Sequence, residues 1–205
     1  LARQGLLVVI SGPSGAGKGT VCKALLEQNR ELVLSVSKTT RPPRAGELDG
    51  VNYFFVGRED FLSAVSAGDF LEYALVYGEY YGTPHSAVAQ KLSLGLDVIL
   101  EIDTQGARQV RDSGVEAVFV FLLPPSAAEL YRRITLRATE SGENLKRRLA
   151  AAASEVAEAH WYDYVVVNDS ITGARDAVLA IIRSEKLRVQ RNAELISAIS
   201  KEAAR

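Results

Sequence analysis

Residues 12–20, GPSGAGKGT, end a glycine-rich loop in a lysine and could close around phosphate. Gly12, Gly15 and Gly17 accept backbone angles closed to side chains, so successive N–H groups can converge on anionic oxygens at a helix N-terminus. Lys18 adds a mobile point charge for the outer phosphates. Together with Pro13, Ser14 and Ala16 this is the phosphate-loop pattern G-x-x-x-x-G-K-[ST], except that Gly19 stands where a hydroxyl commonly meets magnesium. Thr20 carries the next hydroxyl. Further on, Arg41 and Arg44 flank a Pro-Pro turn and present guanidinium forks suited to a monophosphate, with Tyr53 and Tyr81 as phenolic donors. Glu101 and Asp103 close the run DVILEID two positions apart, so both carboxylates face one side where a parallel sheet binds its ligands.

The elements that must hold these groups follow from pattern. GLLVVIS (5–11) is a continuous β-branched run, as in a central parallel strand covered on both faces, and the loop follows it directly. Helical spacing over 18–28 is succeeded by strands at 32–36, 97–103, 117–123 and 164–169, alternating with helices near 84–93, after Gln105, after the PPS at 124–126, and up to about His160. This predicts an α/β fold with a five-stranded parallel core sheet and helices on both faces. Residues 37–82 break the alternation with a basic turn, a short strand NYFFV, a helix over 58–67 and an aromatic strand FLEYALVYGEYYG, which together predict an inserted lobe. A polar turn, TESGEN, among arginines marks a hinge. A last helical region runs toward Arg205, and its apolar residues could pack on the core or on another subunit.

Composition narrows the function. In 205 residues, 24 Lys plus Arg stand against 25 Asp plus Glu, which argues against a surface made to wrap nucleic acid or an anionic membrane. Anion binding must be local. The single Cys22 falls on the apolar rhythm of the first helix and is expected as a buried thiol. No apolar run reaches the ~18 residues of a membrane span, and the N-terminal apolar stretch is too short for a signal peptide, so a cytoplasmic protein is expected. Leu1, in a chain with no methionine, is read as following a trimmed or omitted start. His85 is expected at a helix start and His160 partly buried near Trp161, neither in a chemical role.

SGPSGAGKGT, SVSKTTRPPRAGE, VNYFFV, FLEYALVYGEYYGT, LEIDTQGA, LLPPS, LKRRL and VVVND occur in the order and spacing of the guanylate kinases. The chain resembles that family over about 6–185. The resemblance implies a P-loop nucleoside-kinase fold in one domain: core 1–36, 84–125 and 160–205, GMP-binding lobe 37–83, helical lid 126–159. It implies transfer of the γ-phosphate of ATP to GMP, and dGMP, in purine nucleotide metabolism and GMP recycling, with Mg²⁺ as cofactor and no obligatory protein partner. Residues 12–20 and Asn168 would bind ATP, although an asparagine ending a strand is as often a turn former. Arg41, Arg44, Tyr53 and Tyr81 would hold the GMP phosphate. Glu72 would accept from the guanine N1–H and N2–H₂, which adenine lacks, while Thr83 and Ser37 donate to O6. Lys18, Arg133, Arg137 and Arg148 would neutralise the moving phosphoryl group, with Arg132 and Arg147 solvated beside them.

Two departures touch the metal. The family more often has serine at Gly19 and aspartate at Glu101. Glu101 is therefore expected either to bind Mg²⁺ through water or to orient Lys18, with Asp103 near the guanine and the metal's water shell and Thr20 on the α-phosphate. Two other readings compete. One is a monophosphate kinase of different base choice, since GAGKGT is also the adenylate-kinase form of the loop. The other is a catalytically silent guanylate-kinase-like module that binds phosphopeptides, which typically lacks the intact loop and lid arginines present here.

Overall fold

The computed structural model describes residues 4–76, 78–137 and 142–204, without the side chains of 137, 142–145, 147 and 148. Its main sheet has five parallel strands, β1 (Leu7–Ser11), β2 (Leu32–Leu34), β7 (Asp97–Glu101), β8 (Val118–Leu123) and β9 (Tyr164–Val167), in the order β2-β7-β1-β8-β9. β1 lies at the centre and is buried throughout, as its unbroken apolar run requires. Leu7 registers with Val98 on one side, and Val8 with Val118 on the other.

Alternate residues of β1 feed two cores. Val8 and Ile10 pack with Val21 and Leu25 of α1 (Lys18–Gln28) and Val178 and Ile182 of α7 (Ile171–Lys186). Leu7 and Val9 pack with Val88 of α3 (His85–Ser93) and Val110 of α4 (Thr104–Asp112). The helices thus cover both faces, and each large core side chain contributes roughly 1.5–3 kcal/mol by its burial. Asp97 is fully buried, which is tolerable because it accepts from the Leu6 N–H at 2.9 Å and pairs with Lys186 at 2.6 Å. Cys22 is buried in the first core.

A second sheet, ordered β4-β3-β6-β5, stands apart from the first. It is made of β3 (Lys38–Thr39), β4 (Phe54–Phe55), β5 (Phe70–Val76) and β6 (Glu79–Pro84), with α2 (Arg58–Ser66) packed against it through Phe61. The Phe61 ring stacks on Phe70 and Tyr80, with centroids 4.5 and 5.3 Å away. The single strand expected over FLEYALVYGEYYG is instead a hairpin, β5 antiparallel to β6, with Gly78 at φ +86° in the turn. Strand β3 ends on Thr39, the first residue of the stretch read as a basic turn (39–47), and β2 ends at Leu34 rather than at 36.

Two helices, α5 (Ala127–Arg137) and α6 (Gly142–Ala157), follow β8 and pack on each other through Leu130, Ile134, Leu149, Ala152 and Val156. His160 is exposed, not partly buried, with Nδ1 2.8 Å from the Ala157 carbonyl. His85 opens α3, as expected. The C-terminal helical region divides into α7 and α8 (Ala193–Ala203) at a 3₁₀ turn.

Candidate active site

The loop between β1 and α1 is shaped by its glycines and closed by residues far away. Gly15 and Gly17 sit at φ +91° and +90°, which a side chain would resist. There is also no room: a Cβ on Gly15 would press on Ile134 and Leu130 of α5 at 3.0 and 3.4 Å. Asn168, just beyond β9 and only 4% exposed, donates from Nδ2 to the Ala16 carbonyl at 2.8 Å. Its own carbonyl accepts from Arg133 Nη2 at 3.2 Å, while Arg133 Nε donates to Glu129 at 2.7 Å. Gly15, Gly17, Thr20, Arg133, Asn168 and Ile171 line a cleft of roughly 490 Å³.

Lys18 folds back on its own loop, with Nζ donating to the Gly12 carbonyl at 2.6 Å and the Pro13 carbonyl at 3.4 Å. Burial lowers its pKa, opposed by the negative charges of Glu155, Glu101 and Asp103. Glu155, on α6, also accepts from the Ser14 N–H at 3.0 Å.

Across the molecule, β3, β4 and β6 gather the second group. Tyr53 and Tyr81 meet edge to face at 5.9 Å, and the Arg41 guanidinium stands 5.7 Å from the Tyr53 ring. Arg41 Nη2 donates to both Glu47 oxygens at 2.9 Å, and Glu47 also accepts from the Arg44 N–H at 2.7 Å. The Arg44 residue is otherwise exposed at the turn. Opposed on the β5–β6 hairpin, Thr83 donates to Glu72 Oε1 at 2.6 Å, and Ser37 Oγ lies 3.4 Å from Thr83 Oγ1. Glu72 is 8% exposed, and its burial raises its pKa, with Asp103 adding to the rise and Thr83 opposing it. Such a carboxylate is an acceptor held ready for N–H donors.

Glu101 ends β7 and faces the loop: a Cβ on Gly19 would lie 3.3 and 3.6 Å from its two oxygens. The longer acid therefore fills space that a serine side chain at 19 would contest. Loss of water raises the Glu101 pKa against the pull of Lys18. Asp103 caps α4, accepting from the Gly106 N–H at 2.8 Å. Among the described residues no three His, Cys, Asp or Glu converge to hold a bare metal ion. The carboxylate oxygens of Glu101 and Asp103 are donors of the kind that suits a hard divalent cation.

The structure thus brings together Ser37, Glu72 and Thr83, then Arg41, Tyr53 and Tyr81, and thirdly residues 12–20 with Arg133 and Asn168. Arg132 is 62% exposed and ion-paired to Glu129. The side chains of Arg137 and Arg148 lie outside the described residues. Sequence reasoning missed Glu47 and Glu155. Glu47 sits three residues after Arg44, a spacing open to an Asx-like turn closure, whereas Glu155 carries no signal in its alanine-rich helix.

The guanylate kinase family model matches residues 4–185. A guanylate kinase from Caldanaerobacter subterraneus subsp. tengcongensis is 51% identical over 203 residues, covering 99% of this chain and 98% of the relative. One from Clostridium perfringens is 52% identical over 188 residues, 92% of this chain and 87% of its own. The crystal structure of guanylate kinase from Anaplasma phagocytophilum superposes with a TM-score of 0.71 at 37% identity, covering 93% of this chain and 91% of that one.

Proposed function

Because this chain belongs to the guanylate kinase family, we propose that residues 12–20 take ATP, the lobe built on β3 to β6 takes GMP, and the phosphoryl group passes directly between them. The reaction is transfer of the γ-phosphate of ATP to GMP, giving ADP and GDP. The observation that carries the residue assignment is the buried Glu72, bonded to Thr83 beside Ser37, which suits the N1–H and N2–H₂ donors of guanine and repels the N1 acceptor of adenine.

The acceptor is a phosphate oxygen already largely ionised at neutral pH, because monoesters have a second pKa of about 6, so no general base is needed. The protein's task is to bring two polyanions together, screen their charge and exclude water. Arg41 and Arg44, with the phenols of Tyr53 and Tyr81, hold the GMP phosphate. Lys18 and Arg133, with Arg137 and Arg148 from the lid, hold the charge of the moving group. Thr20 bonds the α-phosphate and Asn168 fixes the loop beside the adenine. Glu101 and Asp103 would accept hydrogen bonds from the waters of a Mg²⁺ ion, which would supply charge neutralisation at the phosphates. The lobe at 37–83 and the lid at 126–159 close over the substrates, and compaction with both nucleotides bound, read by small-angle scattering, checks that step. Among the described residues no helix is long and apolar enough to cross a membrane, and a cytoplasmic enzyme without an obligatory partner is the reading we favour.

The decisive measurement is ADP release from MgATP with GMP, dGMP, AMP, UMP and CMP offered separately. GMP is expected to exceed AMP by something on the order of 10⁴, the discrimination a hydrogen-bonding base site reaches. Equal turnover of AMP would overturn the role given to Glu72. No turnover with any acceptor would favour a binding module.

A further inference from the structure

We propose that Glu155 is an internal stand-in for phosphate: in the nucleotide-free enzyme its carboxylate closes the loop at residues 12–20, and ATP must displace it, which couples filling of the loop to movement of α6. This deepens the assignment of that loop to ATP and rests on it.

The contact itself is specific. Ser14 N–H, a backbone donor of the loop, gives its hydrogen to Glu155 Oε2 at 3.0 Å, across 141 positions of sequence. A carboxylate oxygen offers the loop what a phosphate oxygen offers, an anionic acceptor at an N-terminal cluster of amides. The lysine of the loop feels the same group. Of the carboxylates whose charge acts on Lys18, Glu155 acts most strongly, ahead of Glu101 and Asp103. Lys18 meanwhile spends its hydrogen bonds on the Gly12 and Pro13 carbonyls. Both the amide and the ammonium are therefore engaged in ways that an incoming triphosphate has to undo.

Glu155 is delivered by packing rather than by chance extension of a surface side chain. Its neighbours on α6, Ala152 and Val156, press on Leu130 and Ile134 of α5, and those two side chains bear on Gly15. Loop, α5 and α6 thus form one packed unit, which the carboxylate joins from α6 to the loop. A terminal phosphate and a carboxylate repel each other in one small cradle, so the two cannot share it. When the phosphate enters, the carboxylate leaves, and because it is anchored in α6 the helix shifts on α5. Position 148 lies on the same helix. Loading of ATP therefore repositions the lid segment from within the loop, before any contact from the lid to the nucleotide is made. Small anions are also disfavoured, since they must displace an acceptor tethered at high effective concentration.

Calorimetric binding of tripolyphosphate and of MgATP, without GMP, tests this. Wild type must bind both, and Lys18→Ala must weaken both; failure at that stage overturns the assignment of the loop itself. Given that, Glu155→Gln is expected to tighten both by about tenfold, since a charge-assisted hydrogen bond no longer competes, with GMP affinity unchanged. Equal or weaker binding by Glu155→Gln, with wild type behaving as stated, overturns the stand-in alone. A second measurement does not depend on that variant folding. Ala153 is exposed on α6 and Cys22 is buried, so a fluorophore on Ala153→Cys reports the helix. Tripolyphosphate is expected to change its emission in the otherwise native protein, and an unchanged signal at saturation overturns the coupling.

Discussion

At the proposed guanine edge a neutral hydroxyl, Thr83, holds the buried Glu72, with Ser37 3.4 Å from Thr83, whereas at the proposed phosphate positions a guanidinium and two backbone amides are met by acids nearer solvent, and Lys18 bonds loop carbonyls. Glu47 takes Arg41 and the Arg44 amide; Glu155 takes the Ser14 amide. Burial accounts for the difference. Glu72 is nearly sealed from water and must keep a hydrogen-bond partner at all times, so its geometry is set before any base arrives. The phosphate donors lie nearer solvent and are strongly cationic or amide groups that attract whatever acid is close. Base choice is thus a standing property of the free protein, while phosphate capture is an exchange of one anion for another.

The comparison breaks most sharply at Glu72. Glu72→Gln keeps the shape but turns an acceptor into a donor opposite the guanine N1–H, and kcat/KM for GMP is expected to fall by about 10²–10³ in steady-state assays. Its pH behaviour adds a sign. Burial places the Glu72 carboxyl above the usual carboxylate range, so kcat/KM for GMP should decline on acidification at a higher pH than an exposed acid would produce. For folding, the raised value means that the native state binds this proton more tightly than the unfolded chain. That contribution is full below the unfolded pKa and is lost as pH rises through the folded one. Glu72→Gln, uncharged throughout, should therefore melt at a higher temperature than wild type at neutral pH in a calorimetric scan, even as it loses GMP turnover.

On the exchange side the expected effects shrink. Arg41→Lys retains the charge but loses the planar fork that meets Glu47 and is proposed to meet phosphate, and KM for GMP should rise about tenfold with a smaller change in kcat. An unchanged KM would place the GMP phosphate elsewhere. The smallest effect is expected at Gly19. Gly19→Ser puts a side chain against the Glu101 carboxylate, and ATP affinity in the presence of Mg²⁺ should weaken by only a few-fold, a cost of about 1 kcal/mol of crowding. Adding Glu101→Asp should restore it, measured as the ratio of ATP affinities with and without the metal; no restoration would mean that the two departures from the family pattern are unrelated.

Much of this architecture is legible in the residues themselves. The run at 5–11 could only be a strand buried on both faces, and the alternation after it produces the parallel sheet. What escaped is instructive. The β5–β6 turn was invisible because Gly78 alone breaks a run rich in aromatic and β-forming residues on both sides, so composition reads one strand. For Asn168 an adenine contact and a turn were both open; its amide donates to a carbonyl of the loop, a use that depends on β9 lying next to β8. Glu155 lies on a helix whose pattern shows which face packs on α5 but not that the edge of that face meets a loop made 141 residues earlier.

The bond from Asn168 to Ala16 joins residues 152 positions apart. As the chain emerges from the ribosome, β1 and its glycine loop come out well ahead of the amide that fixes the loop, which follows 152 residues later. Strand β1 must likewise wait for β7 and β8 before it has a neighbour on either side. The loop is therefore synthesised well before the partners that complete it, and ATP can draw on the finished loop only once Asn168 has joined it.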